Sequence, residues 1–181
     1  MRVISGKARG LKLLSLEGAD TRPTLDNVKE AVFSMIFDYC PDACVLDLFA
    51  GSGAMGIEAL SRGAKEAVFV DINPKACSVV KANLEKSKLM DTAIVLTADY
   101  KAYLKSAHQS GKSFDIIFLD PPYALSFMDE VLNLIHEYGL LNKNGLIVCE
   151  FESGTDIDTK NYKLLKDKRY GRASVKVLCN L

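Results

Sequence analysis

The sequence predicts an α/β protein built on a doubly wound, mostly parallel sheet closed by an antiparallel pair of strands. Short apolar runs alternate along the chain with stretches of helical periodicity. The runs are nearly continuous in Val, Ile, Leu and Phe, as expected of strands covered by helices on both faces. Two strand-like segments joined by a tight turn end the chain.

Residues 2–14 read as a β-hairpin, with Arg2-Val3-Ile4-Ser5 and Leu11-Lys12-Leu13-Leu14 flanking a loop from Gly6 to Gly10. A helix follows Arg22-Pro23-Thr24, and Val28, Ala31, Val32, Met35 and Ile36 form its apolar stripe. Five core strands are expected at about 43–48, 66–71, 92–97, 114–119 and 145–151. After the second strand, Asn73 is a good N-cap, Pro74 suits the first helical position, and Cys77, Val80 and Leu84 recur at helical spacing. At the end, Tyr162–Arg169 and Ala173–Asn180 straddle the turn Tyr170-Gly171-Arg172. The expected organisation is a single domain over 1–181, with an N-terminal hairpin and helix over 1–40 and a cofactor-binding core over 41–181.

Composition narrows the function. The chain has 181 residues, 49% of them hydrophobic, with 23 Lys+Arg balancing 23 Asp+Glu, which excludes a disordered chain and a supercharged nucleic-acid tail. No apolar run approaches the roughly 18 residues that cross a bilayer, and no signal-peptide core follows the first residues, so a cytoplasmic protein is expected. Five cysteines without a CxxC pair, and two isolated histidines, predict reduced thiols and no metal site.

The first core strand runs into Asp47-Leu48-Phe49-Ala50-Gly51-Ser52-Gly53-Ala54-Met55-Gly56, a GxGxxG loop opening a helix. Asp71 ends the next strand 20 residues after Gly51, where a carboxylate can accept from both ribose hydroxyls of an adenosine. Asp47 lies near the mouth of the same site. A carboxylate there opposes the diphosphate of a nicotinamide dinucleotide but suits the cationic amino acid part of S-adenosylmethionine. Phe49 and Ile72 flank these positions and join the candidate cofactor contacts. Asp99, after the third strand, suits the adenine amino group and equally suits a helix N-cap.

The most specific feature is Asp120-Pro121-Pro122-Tyr123, after the fourth strand. Consecutive prolines hold the backbone extended and remove two N–H donors, leaving carbonyls displayed as acceptors. Such a pocket fits the exocyclic amine of a nucleobase, a poor nucleophile because its lone pair is delocalised into the ring. Asp120 and the Pro121 carbonyl can accept the amine hydrogens while Tyr123 stacks on the base. An ionised Asp only accepts, which suits the adjacent N1–H and N2 amine of guanine better than adenine N6 with its accepting N1.

These segments together carry a family resemblance. Arg2-Val3-Ile4-x-Gly6-x-x-x-Gly10, Arg22-Pro23-Thr24, Leu46 to Gly53, Glu58-Ala59-Leu60-Ser61-Arg62-Gly63-Ala64 and Leu119 to Tyr123 closely resemble the RsmD-like methyltransferases over nearly the whole chain. The resemblance implies a Rossmann-like class I methyltransferase with a seven-stranded sheet. It implies S-adenosyl-L-methionine held around Asp47, Gly51, Gly53, Asp71 and Asp99, and N2 methylation of one guanine in 16S ribosomal RNA at Asp120 to Tyr123. Asp71 departs from the family, which more often has Glu there, so its shorter carboxylate must approach the ribose more closely.

Zero net charge does not argue for RNA, but its placement does: Arg2, Lys7, Arg9 and Lys12 gather near the N-terminus, and Lys166, Lys168, Arg169 and Arg172 near the last turn. Arg2, Lys7, Arg9, Arg22 and Arg172 are the RNA-contact candidates; solvated charged faces, and for Arg22 a helix brace, are the alternatives. The expected partner is 16S ribosomal RNA, within a small ribosomal subunit or an assembly intermediate, acted on by a monomer. Adenine-N6 methylation of DNA or RNA, a nicotinamide-dependent oxidoreductase and a non-catalytic ribosome-assembly factor are the competing functions.

Overall fold

The computed structural model describes residues 1–16, 23–121 and 125–181. Helix α1 (Pro23–Met35) precedes β1 (Cys44–Leu48), α2 (Ala54–Ser61), β2 (Glu66–Asp71), α3 (Pro74–Ser87), β3 (Ala93–Thr97), α4 (Tyr100–Gln109) and β4 (Phe114–Leu119). The chain continues through α5 (Leu125–Glu137), β5 (Leu141–Glu152), β6 (Tyr162–Tyr170) and β7 (Ala173–Asn180). The strands form one seven-stranded sheet in the order β3-β2-β1-β4-β5-β7-β6. Its first five strands are parallel, and β7 pairs antiparallel with both β5 and β6. This is the expected Rossmann-like class I methyltransferase sheet.

Strand burial follows position in the sheet. Central strands β1, β2 and β4 are buried along nearly their whole length, which explains their unbroken apolar runs. β3 departs from that expectation. As an edge strand it keeps Ile94 and Leu96 partly exposed, while Ala93 and Val95 pack against the core. β5 begins at Leu141, before its expected start, through a register irregularity opposite Phe114–Ile116. The β6–β7 pair matches the expected segments to within a residue.

Apolar side chains fill both faces of the sheet. On one face α1, α2 and α3 contribute Val32, Phe33, Ile57, Leu60, Val80 and Leu84, joined by Val3 and Leu13 from the N-terminus. On the other, Leu104 of α4 and Val131, Leu132 and Ile135 of α5 pack on Leu46, Leu48, Ile117 and Ile147. Helix α3 starts as expected, with the Asn73 side chain accepting from the Lys75 N–H at 2.9 Å and Pro74 at the first helical position.

The N-terminal segment pairs as the short hairpin that its sequence pattern predicts, with Val3 N–H donating to the Leu11 carbonyl at 2.9 Å and Leu13 N–H to the Met1 carbonyl at 3.0 Å. One antiparallel bridge joins Arg2 to Lys12, and residues 5–10 form bends and turns. The donors of Ile4, Ser5, Ala8 and Leu14, which that short ladder leaves over, are taken by the core. Ile4 and Ser5 donate to the Glu58 carboxylate at 2.7 and 3.0 Å, Ala8 to Ser61 Oγ at 2.9 Å, and Leu14 to Asn83 Oδ1 at 2.7 Å. Gly6 crosses α2 so closely that a Cβ there would stand 1.8 Å from the Ser61 carbonyl oxygen.

Candidate active site

Parallel strands all end at the same edge of a sheet, and in open α/β folds ligands bind outside that carboxyl edge. β1, β2, β3 and β4 bring Asp47, Asp71, Asp99 and Asp120 to it, and β5 adds Glu150. β4 and β5 run parallel with Leu119 opposite Cys149, so the next residues along, Asp120 and Glu150, are neighbours across the strands.

The glycine loop is built to turn sharply. Phe49 takes a left-handed backbone (φ 71°) while its N–H and that of Ala50 both donate to the Val70 carbonyl, at 2.9 and 3.0 Å. Gly53, at φ 76°, forms the N-cap of α2, a conformation that side chains with a Cβ rarely adopt. Asp71 braces the loop, accepting from the Gly51 N–H at 2.9 Å through one oxygen and from the Asn73 N–H at 2.8 Å through the other. Each oxygen retains a lone pair for a ribose hydroxyl. Ile72 beside it is 70% exposed, an apolar surface open to a planar ring. The Phe49 ring lies 5.5 Å from that of Tyr100, which lies 5.4 Å from that of Phe127.

Asp47 is buried and accepts from the Gly56 N–H at 2.9 Å. Burial is the main cause of its carboxyl being pushed up to about 7, with the charges of Asp120 and Asp71 adding to the push against the Gly56 hydrogen bond. Desolvation by the packing around its carboxyl also raises Asp120, although the residue keeps an exposed side. Glu150 is raised by burial and by the charge of Asp120. A cluster of acids held above their ordinary range gains most from a cation, so the donor set fits a sulfonium and an α-ammonium group and opposes a diphosphate. Among the described residues, no group of three or more His, Cys, Asp or Glu is arranged to hold a metal ion.

Asp99 caps α4, accepting from Lys101 and Ala102 N–H at 2.9 and 3.2 Å through Oδ1, so the N-cap reading of this residue holds. Pro121 is half-buried directly after Asp120. Pro122, Tyr123 and Arg22 lie outside the described residues.

The basic candidates separate. Ala173 pairs with Glu152, so the β6–β7 turn bearing exposed Arg172 rises at the carboxyl edge beside the acids. Exposed Lys7 and Arg9 belong to the turn that packs on Ser61 at the C-terminal end of α2, towards the opposite edge of the sheet. Exposed Arg2 is held near α1 through its N–H to Asp26 Oδ1 at 3.2 Å.

Two residues were not singled out for the roles they play. Glu58 is fully buried and accepts from Ile4, Ser5, Lys29 and Arg62, and Asn83 ties Leu14 to the Ser52 carbonyl in the glycine loop at 2.9 Å. A carboxylate inside the apolar run Ile57-Glu58-Ala59-Leu60 was the available signal for Glu58.

Comparisons with known proteins agree with this geometry. The family model described as "Conserved hypothetical protein 95" matches residues 1–179. The Bacillus subtilis candidate rRNA methyltransferase YlbH is 45% identical over 157 residues, 87% of this chain and 85% of its own. Haemophilus influenzae "Ribosomal RNA small subunit methyltransferase D" is 36% identical over 182 residues, 99% of this chain and 94% of its own. The solved structure of Escherichia coli yhhF superposes with a TM-score of 0.86 at 32% identity, covering 99% of this chain and 97% of that one. On the full-length family match and these identities, the chain belongs to the Conserved hypothetical protein 95 family, the RsmD family of methyltransferases.

Proposed function

We propose that this chain uses S-adenosyl-L-methionine to methylate the exocyclic N2 amine of a guanine in 16S ribosomal RNA, as one domain over 1–181. The observation that carries the reading is the convergence of Asp47, Asp71 and Asp120 at the carboxyl edge, with Pro121 directly after Asp120. Family membership and the name of the Haemophilus relative support the reaction class and the RNA substrate.

The residues divide the work. Asp71 receives the ribose hydroxyls, Asp47 faces the cationic amino acid part, Gly51 and Gly53 let the ligand approach the backbone, and Phe49, Ile72 and Asp99 border the adenine. S-adenosylmethionine, when bound, supplies an electrophilic methyl group with a good thioether leaving group, so no metal is required. Asp120 and the Pro121 carbonyl accept the hydrogens of the flipped-out amine, which localises its lone pair, and Asp120 or solvent takes the proton released on methylation. Pro122 fixes the extended backbone and Tyr123 stacks on the base. Arg2, Lys7, Arg9, Arg22 and Arg172 supply phosphate contacts, in a monomer acting on a small ribosomal subunit or assembly intermediate.

One observation favours adenine N6 as a second reading. The upward push on Asp120 brings its protonated form closer to neutral pH, and a protonated carboxyl donates to adenine N1 as an amide would. The test is to incubate the protein with labelled S-adenosylmethionine and small subunits from cells lacking the enzyme, then identify the methylated nucleoside. N2-methylguanosine supports the first reading and N6-methyladenosine the second. No incorporation into subunits or naked RNA overturns both.

A further inference from the structure

A basic groove of about 330 Å³ runs between the N-terminal turn and the C-terminal end of α3, outside the site above. Lys7, Arg9 and Gly10 line one wall and Lys86, Ser87 and Lys88 the other; no lining residue is acidic. All four cations are exposed, and among the described residues no carboxylate lies within 4.0 Å of any of them. In a chain of zero net charge, four cations in one groove without a carboxylate partner among the described residues are a concentrated local field that favours a polyanion.

The groove is built rather than incidental. Lys86 Nζ donates to the Lys12 carbonyl at 2.6 Å, which ties the two walls together and leaves two ammonium hydrogens for a ligand. Lys88 caps α3 in the left-handed region (φ 58°), where its N–H donates to the Glu85 and Leu84 carbonyls. Opposite, the turn is seated by Lys7 N–H on the Ser61 carbonyl at 2.8 Å and Ala8 N–H on Ser61 Oγ at 2.9 Å.

Its place in the fold suggests its use. α3 leaves the carboxyl edge at Pro74 and runs back over 14 residues, about 21 Å at 1.5 Å per residue, to the start of β3. The groove therefore lies at the other end of α3 from the acids, no more than about 20 Å from them, which is at most about six steps of a stacked nucleic-acid strand at 3.4 Å.

We propose that Lys7, Arg9, Lys86 and Lys88 form a remote binding groove for the phosphodiester backbone of the RNA substrate, engaged while the target base occupies the carboxyl edge. This rests on the proposed RNA substrate and adds a second anchoring point, with Lys86 and Lys88 as contacts. Such anchoring raises affinity and sets register without entering the chemistry.

The test pairs Lys86→Gln, which keeps a donor for the Lys12 carbonyl, with Lys88→Asn, which tolerates the left-handed cap. Equilibrium binding of the double variant to naked 16S ribosomal RNA is measured across salt concentrations, with a Lys86→Arg/Lys88→Arg control. The expected result is roughly tenfold weaker binding near physiological salt and a log–log salt slope smaller by about 1.4–1.8 for two lost phosphate contacts. In turnover, KM rises with kcat unchanged, while S-adenosylmethionine binding and the unfolding midpoint stay at wild-type values. The arginine control retains binding.

An unchanged affinity and slope on naked RNA overturns the proposal. Weakened binding confined to assembled subunits also overturns it, and points to an acidic protein surface instead. If wild-type protein binds RNA through these lysines but methylates nothing, the groove stands and the catalytic reading falls.

Discussion

Glu58 holds the N-terminal segment on the core, and its removal should cost far more than an average substitution. Each carboxylate oxygen takes two donors: Oε2 accepts from Ile4 N–H at 2.7 Å and lies 3.1 Å from Lys29 Nζ, and Oε1 accepts from Ser5 N–H at 3.0 Å and Arg62 Nε at 2.8 Å. Lys29 is only 2% exposed, and burial pulls its ammonium below the usual lysine value despite Glu58. Glu58→Ala leaves that ammonium without its counter-charge and strands two backbone donors. Breaking a buried pair in this way costs about 3–5 kcal/mol, against a total stability of roughly 5–15 kcal/mol for a domain.

At about 2–4 °C per kcal/mol for a chain of this size, the midpoint should fall by roughly 6–20 °C. Lys29→Met should cost less, because Glu58 then keeps Arg62 and both backbone donors. Urea unfolding of the two variants measures this, and amide exchange at Ile4 and Ser5 should become fast in Glu58→Ala. A Glu58→Ala cost below about 1 kcal/mol, or a larger cost for Lys29→Met, would refute the reasoning.

Three further outcomes follow from the same geometry. Asp120→Ala should keep S-adenosylmethionine affinity near wild type while kcat falls on the order of 100- to 1000-fold, read by calorimetry and methyl incorporation; unchanged turnover would remove Asp120 from the chemistry. The Asp47 carboxyl is raised from 3.8 to about 7, so its contribution to folding is most favourable below 3.8 and is lost as pH rises towards 7. Asp47→Asn should therefore be more stable than wild type at pH 8, by about 2–4 kcal/mol, converge with it near pH 4, and bind the cofactor more weakly; a pH-independent difference in unfolding free energy would contradict this. Gly56→Ala would set a Cβ 2.3 Å from the Phe69 ring, and overpacking of this kind should cost about 1–3 kcal/mol in thermal unfolding.

Much of this protein is written in short-range pattern. The bounds of β2 and β4, the Asn73 cap of α3 and the β6–β7 turn follow from periodicity, capping and turn chemistry, which are interactions between residues a few positions apart. The glycine loop, Asp71 and the Asp120-Pro121 step were legible for the same reason, since strand ends of a parallel sheet gather at one edge whatever the details of packing.

Tertiary structure decided the rest. Residues 2–14 pair as the short hairpin that their alternation predicts, but the donors of Ile4, Ser5, Ala8 and Leu14 find Glu58, Ser61 and Asn83, more than fifty positions away, and no local rule anticipates a partner at that separation. The two basic clusters looked equivalent in sequence, yet one stands beside the acids and the other at the far end of α2 and α3, because strand order and helix direction set their places. Strand order also makes β3 an edge, with Ile94 and Leu96 partly exposed despite an apolar run like those of buried strands. The protonation of Asp47 likewise depends on burial and on charges from β2 and β4, carried there by the register of the sheet. The sequence by itself determined which elements form and which residues stand at their ends; only the packed structure determined what those residues touch, because burial and charge act through space and not along the chain.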